Sequence, residues 1–373
     1  MTTPAAPETE SAFDWLTMPD AAARAHLHAT AGEHLAPLRA SIDAYLGHPR
    51  PLFSRLPVSY RHVPLPARMA ILRLMSKRPT PAADVFPAWP IERTIDDAIR
   101  DGWREAVGRA GLALREPSYD GRRAAIVITH DVDSAPELRG IEPLRVLERR
   151  YGLPSTFGFV PKASWPAERQ VRDLIDEGCE AYWHDIAHDG RLPWLGASAM
   201  RAAFDRVAAA SPWAVETMRA FRSGQMLMSR SLLEVVAERF DVDLSIPDSE
   251  RFGPYGSSAG CGTVFPFRTR GILEIPLSLP QDAYLWNVHR LEPPEVVALW
   301  IGKLDYVISR GGVAVLNVHP VWTNPGHATM WRAYETFLSH VATTAELLAT
   351  TPVRLAALIG RGDDVPTVGD AAR

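Results

Sequence analysis

From about residue 122 onward the chain alternates short apolar runs with amphipathic stretches, and this alternation restricts the fold more than any other feature. The apolar runs fall at 124–129, 155–160, 179–183, 218–222, 242–246, 272–277 and 313–318. They are short, rich in small and β-branched residues and poor in charge, which is the texture of buried strands. Between or after them, 138–150, 168–177, 198–210, 229–239, 293–309 and 328–347 carry apolar residues at three- and four-residue spacing, as helices do. Strands linked through helices run parallel. The pattern predicts an α/β fold, a closed or nearly closed barrel rather than an open sheet. In such barrels catalytic groups gather at the carboxyl ends of the strands.

The chain before this region reads differently. Residues 1–12 are mostly Thr, Pro, Ala and Glu without periodicity, and are expected to be disordered. Residues 20–46 read as helical, a proline-studded segment follows, and further helices are expected at 67–75 and 94–110. Residues 13–121 are therefore expected to form a helical extension packed on a catalytic domain spanning 122–360, with 361–373 as a flexible tail.

Composition excludes several classes of function. Of 373 residues, 46% are hydrophobic, enough for a sizeable core, and the net charge is −4. No basic patch suited to nucleic acid or to a membrane surface stands out. Two cysteines, Cys179 and Cys261, cannot build a disulfide framework or a four-cysteine zinc site, and are expected to be buried thiols. "MTTPAAPETESAFDW" has neither a basic leader nor an apolar one, and no apolar stretch reaches the length of a membrane span. A soluble, cytoplasmic protein without membrane insertion is expected; the oligomeric state stays open.

Residues of catalytic type follow almost every strand. After the first comes "THDVD", with Asp131 and Asp133; after the third "WHDIAH", with His184 and His188; after the fourth "FRSGQM", with Arg222; and the last ends in "VLNVHP", with His319. Carboxylates are costly to bury unless something compensates their charge. His184 and His188, four apart, are expected on one helical turn with both imidazoles facing one divalent ion. Two histidines and one carboxylate leave coordination positions open for water and substrate. One aspartate then neutralises the ion, and the other takes a proton from the attacking water. The competing reading of Asp131 and Asp133 is that one or both cap the turn after the strand, which Ser134 and Pro136 favour. His319, placed across the barrel from the base, can protonate a leaving group; alone it reads as a core histidine. Arg222 can hold a carboxylate ionised or form an ordinary ion pair.

"THDVD", "HDIAH", "FRSG", "LEIPLS" and "VLNVHP" occur in the order of five motifs of the polysaccharide deacetylase family, also called NodB-homology or carbohydrate esterase family 4, and residues 122–355 resemble that family. The resemblance implies a distorted (β/α)7 barrel that removes N-acetyl groups from amino sugars with a divalent ion, zinc before Co2+, Mn2+ or Ni2+. It implies Asp131 as base, Asp133, His184 and His188 as metal ligands in a D-x-D variant of the first motif, Arg222 as tether of the base, and His319 as acid. It places the oxyanion donor at the backbone N–H of Gln225. Gly224 stands where many members have proline, and Tyr182 where glycine is usual. Trp183 and Trp322 could form a sugar-stacking wall or pack in the core. Asp243, Asp248 and Glu274 are each candidates to orient His319.

The expected activity is metal-dependent removal of an N-acyl group, acetyl first, from an amino sugar or a saccharide-containing metabolite. Lack of an export signal points to a nucleotide- or lipid-linked sugar, an exopolysaccharide precursor or an amino-sugar natural product. One alternative is another amidohydrolase on the same barrel, acting on a formamide or a cyclic ureide. The other is a non-catalytic carbohydrate-binding protein, which needs neither base nor acid.

Overall fold

The computed structural model describes residues 9–55 apart from 19, 85–250, 259–321 and 327–360, with 63, 67 and 70 as isolated positions. The strands are β1 (Thr9–Ser11), β2 (Ala124–Val132), β3 (Ser155–Phe159), β4 (Glu180–His184), β5 (Ala220–Arg222), β6 (Val242–Asp243), β7 (Phe267–Thr269), β8 (Ile272–Glu274), β9 (Val313–Asn317) and β10 (Leu347–Thr350). They join in the order β1-β7-β8-β6-β5-β4-β3-β2, with β9 and β10 both on β2. The expected seven-stranded parallel wall is present as β9-β2-β3-β4-β5-β6-β8.

β2 is buried along its whole length, as a parallel strand between an inner and an outer layer must be. Alternation sorts its side chains. Ala125 and Val127 join an inner cluster with Tyr182, Val242, Leu273 and Val315. Ile126, Ile128 and Val132 join the core beneath the surrounding helices. β9 runs along Ala125–Thr129 on one edge of β2; the other edge takes β10 over Ala124–Val127 and then β3 over Ile128–Val132.

The strand ladder does not close. β8 is interrupted at Pro276, which has no N–H to donate; Leu277 still bridges Pro247, and the chain then crosses to β9. There the Ser278 hydroxyl donates to Val313 O and accepts from Val315 N, each at 2.8 Å, and Leu279 N donates to Val315 O at 2.9 Å. A side chain thus bridges the seam that a strand pair would otherwise close.

The N-terminal helices share the barrel's core: Phe13, Leu38 and Trp103 lie in one apolar cluster with Phe265 and Leu304. The helical stretch expected at 20–46 is two helices, Ala21–Ala31 and Ala36–Leu46, separated by a 3-10 turn at Gly32–Leu35. Polar anchors fix it to the barrel. Ser41 donates to Cys261 O at 2.7 Å, Tyr45 to Met226 O at 2.6 Å, and Asp96 accepts from Thr263 and Tyr306, each at 2.6 Å. Both cysteines are buried and unpaired.

Several expectations are corrected. Residues 9–12 are not disordered: β1 pairs antiparallel with β7, and a helix starts at Ala12. The expected helix at 328–347 ends at Thr343, because Leu347–Thr350 pairs with β2 as a strand. The expected helix at 67–75 falls mainly outside the described residues, as do Trp322, residues 1–8 and the tail at 361–373.

Candidate metal centre and active site

The D-x-D spacing is a strand-parity device. Thr129, Asp131 and Asp133 are two apart, so an extended strand points all three to the barrel interior at the carboxyl end of β2. The intervening His130 points outward. Its Nδ1 lies 2.7 Å from Val318 O and its Nε2 2.7 Å from Glu148 Oε1, and Phe157 stacks on the ring. The turn after β2 is secured by neighbours of the aspartates. Ser134 Oγ donates to Glu137 Oε1 at 2.8 Å, and Asp133 N to Glu137 Oε2 at 2.9 Å. Burial and the Asp133 charge push the Glu137 carboxyl up to about 7. The backbone N–H at this turn is thus taken up by Glu137, while Ser134, the first residue before the 3-10 turn, makes no capping bond with its side chain.

Asp133 meets both expected histidines. Its Oδ1 lies 3.2 Å from His184 Nε2 and 3.3 Å from His188 Nε2. Four-coordinate sites with ligand bonds of about 2.05 Å have ligand atoms about 3.3 Å apart, so the spacing fits one tetrahedral ion. The histidines do not share a helical turn, contrary to expectation. His184 ends β4, and a left-handed kink at Asp185 (φ 60°) and at His188 itself (φ 50°) folds the second imidazole back to 4.8 Å from the first, ring centre to ring centre. Asp185 holds the kink: its N–H donates to Arg222 O at 2.8 Å, and its Oδ2 accepts from Gly224 N at 3.2 Å. His184 Nδ1 donates to Arg222 O at 3.1 Å, which leaves the lone pair on Nε2. That Nε2 is buried without a hydrogen-bond partner. An orphaned ring nitrogen facing a carboxylate oxygen suits a cation, and these three residues can hold one.

Gly224, where proline is usual in the resembled family, has a local cause. A Cβ there would lie 2.5 Å from Asp185 Oδ2 and 2.8 Å from His188 Cδ2, and proline would also remove the N–H that Asp185 accepts.

Asp131 stands beside this set, its Oδ2 3.7 Å from His184 Nε2. Arg222 Nη1 donates to Asp131 Oδ1 at 3.1 Å, Asn317 Nδ2 donates to Oδ2 at 2.8 Å, and the Tyr182 hydroxyl donates to Oδ1. Burial alone would raise this carboxyl; the Arg222 guanidinium and the His184 and His319 imidazoles outweigh it and hold Asp131 well below the usual carboxylate range. Burial likewise opposes ionisation of Asp133, and His188 and His184 overcome it. Tyr182 fits inside the barrel because β3 carries Gly158 directly opposite; a Cβ there would lie 2.2 Å from the Tyr182 ring. The tyrosine therefore caps the inner core and touches Asp131.

His319 follows β9, which pairs with β2, so it comes from the neighbouring strand and not from across the barrel. Its orienting partner is Asp282, which sequence reading missed: Nδ1 lies 2.7 Å from Oδ1, and the His319 N–H donates to Oδ2 at 2.9 Å. Burial opposes the imidazolium, but Asp282 and the site aspartates push His319 up to about 10. The three acidic candidates are engaged elsewhere. Asp243 and Glu274 face each other across β6 and β8, where burial pushes Asp243 up to about 6 and Glu274 well above its ordinary value. Asp248 is ion-paired with Lys303 in the interior. Asp282 lies eight residues beyond the end of β8, in the segment that crosses the seam, and no strand pattern marks it.

Gln225 is in the left-handed region (φ 58°), as is Met226 (φ 57°). The turn is held by Met226 N donating to Ser223 O at 3.1 Å, Ser223 N donating to Ser245 Oγ at 2.8 Å, and Tyr45. Trp183 is 2% exposed and packs on Trp165, Phe204 and Phe240, so of its two readings the core one holds.

Neither a protein-family model nor a curated protein matches the sequence. Solved structures do. A probable polysaccharide deacetylase from Pseudomonas aeruginosa PAO1 is 12% identical with a TM-score of 0.50, covering 70% of this chain and 98% of its own. The Puue allantoinase is 13% identical, also at 0.50, covering 66% of this chain and 92% of its own. A putative polysaccharide deacetylase from Mycobacterium smegmatis is 19% identical, covering 66% and 93%, at 0.49. The first two neighbours are matched almost end to end, and with its parallel wall and its unclosed seam the chain has the NodB-type (β/α)7 barrel fold of the polysaccharide deacetylases.

Proposed function

We propose that the protein is a metal-dependent hydrolase that removes an N-acyl group, acetyl first, from an amino sugar or a saccharide-containing metabolite. The observation that carries this reading is the side-by-side placement of Asp133, His184 and His188 with a separately anchored carboxylate, Asp131. A bound divalent ion, zinc before Co2+, Mn2+ or Ni2+, would supply Lewis-acid polarisation of the acyl oxygen and acidify the attacking water. Asp131 takes the proton from that water, kept ionised and aimed by Arg222, Tyr182 and Asn317. The Gln225 N–H donates to the charge that develops on the acyl oxygen. His319, oriented by Asp282, gives a proton to the departing nitrogen. The new C–O bond comes from water and the C–N bond breaks, so the products are a small carboxylate and a free amine.

A cyclic ureide or a formamide is the second reading, supported by the equal likeness to the Puue allantoinase. Chelator-stripped protein reloaded with zinc, offered N-acetyl amino sugars, formamides and cyclic ureides, tests both. Acetate release that needs metal supports the first reading, and turnover of ureides or formamides alone supports the second. Zinc-loaded protein that binds sugars and hydrolyses nothing refutes both and makes it a binding protein. Asp131→Asn is expected to retain zinc and to lose activity by about 100-fold or more; His184→Ala is expected to lose both.

A further inference from the structure

A second set of residues repeats the ligand chemistry of the barrel mouth in a part of the chain that the reaction does not use. Asp14 lies in the helix Ala12–Thr17, His28 in Ala21–Ala31 and His34 in the 3-10 turn Gly32–Leu35. All three are buried, Asp14 completely. His28 Nε2 and His34 Nε2 each lie 3.2 Å from Asp14 Oδ2. The barrel set has the same atoms at 3.2 and 3.3 Å. Among the described residues, these two sets are the ones that bring three such ligand atoms together.

The local chemistry calls for a cation. His34 Nδ1 faces Ala31 O at 3.4 Å, and its Nε2 lies within hydrogen-bond distance of Asp14 Oδ2, at 3.2 Å. A proton on Nδ1 leaves the Nε2 lone pair aimed at the carboxylate, whereas a proton on Nε2 makes it a donor to Asp14. His28 Nε2 and Asp14 Oδ1 are buried with no hydrogen-bond partner. Two imidazoles that converge on one buried carboxylate are costly unless a positive charge, a metal ion or an added proton, lies among them. Two imidazole nitrogens and one carboxylate oxygen provide three donors, which suffice to hold a divalent ion. The rings are held for it. They stack on each other at 5.2 Å, and the Trp103 indole packs against each at 5.0 Å. The helix Thr94–Arg109 comes this close because residue 102 is glycine: a Cβ there would lie 2.6 Å from His34 Cβ.

We propose that Asp14, His28 and His34 form a second, structural site for a divalent ion of the zinc class. It would tie three short segments together against Trp103 and so brace the N-terminal extension that carries Tyr45 to the Met226 turn. Burial leaves no path for a substrate, so the ion would stabilise the fold and take no part in chemistry. The inference does not depend on the hydrolase reading.

Metal content tests it. The full chain carrying His184→Ala and His188→Ala, loaded with zinc and desalted, should retain about one equivalent, and chelation should lower its thermal unfolding midpoint. A folded variant with no retained zinc overturns the site and shows that a shared proton holds the cluster. Should that variant fail to fold, His28→Asn in the otherwise native chain decides: zinc content falls by one equivalent if the site exists and is unchanged if it does not. Loss of the barrel ion changes neither expectation, so the two sites fail separately.

Discussion

Tyr182→Phe removes one oxygen atom from the wall of the proposed active site and nothing else. The hydroxyl is fully buried, donates to Asp131 Oδ1 and accepts from Arg222 Nη1 at 2.9 Å. Arg222 Nη1 keeps Thr129 Oγ1 at 3.0 Å and Asp131 Oδ1 at 3.1 Å, so the substitution leaves that nitrogen with two acceptors. The ring stays in place, since Gly158 lies under it and the inner core surrounds it. The net loss is one hydrogen bond to a carboxylate, about 1.5–3 kcal/mol. Expressed as preference for the ionised form of Asp131, that raises its carboxyl by about 1–2 pH units, at about 1.4 kcal/mol per unit. Asp131 starts well below the usual range, so it remains ionised at neutral pH. A carboxyl held below its unfolded value stabilises the fold above that value and stops doing so as pH falls through the folded one. The variant should therefore be less stable by about 2 kcal/mol, with a flat difference between about pH 5 and pH 8 that narrows in stronger acid. The acid limb of kcat/KM should move up by about 1–2 units while zinc content is unchanged. Denaturant unfolding of the metal-free protein and a pH–rate profile measure these quantities. An unfolding difference below about 0.5 kcal/mol together with an unmoved acid limb would refute the claim that Tyr182 supports the base.

Asp282→Asn removes the charge that favours the His319 imidazolium, now at about 10, so the alkaline limb of kcat/KM should shift to lower pH with little change in metal content. Gly224→Ala sets a Cβ 2.5 Å from Asp185 Oδ2 and should weaken zinc binding by about 10–100-fold through displacement of His188; unchanged affinity in a competition titration would show that the turn can yield. Tyr45→Phe loses the bond to Met226 O and should lower stability by about 1 kcal/mol and kcat with it, leaving zinc content intact.

Much of the site was legible because strand chemistry is local. A two-residue spacing at the end of an apolar run puts Asp131 and Asp133 on one face whatever surrounds them, and the same parity sends His130 into the helix layer. The apolar periodicity likewise marked all seven strands of the parallel wall, down to the two residues of β6. It missed β1 (TES), β7 (FRT) and β10 (LLAT), which lie in no apolar run marked as a strand and are strands through the partners they meet.

What a spacing of four could not reveal is how His184 and His188 come together. Helix and kinked loop both satisfy it, and only the left-handed backbone at Asp185, held by Arg222 and Gly224, selects the loop. Asp282 and the Asp14 cluster went unmarked, and the role of Tyr182 stayed open, for the same reason. Hydrogen bonds between residues remote in sequence depend on where the chain turns and on what fills the space between, such as Gly158 beneath Tyr182 and Gly102 beside His34. The order of strands and the residue types at their ends were properties of the sequence itself, set by burial and by the two-residue period. Which acid meets which histidine was decided only by tertiary packing, because a carboxylate's partner is whatever donor lies within about 3 Å of it, however far away along the chain.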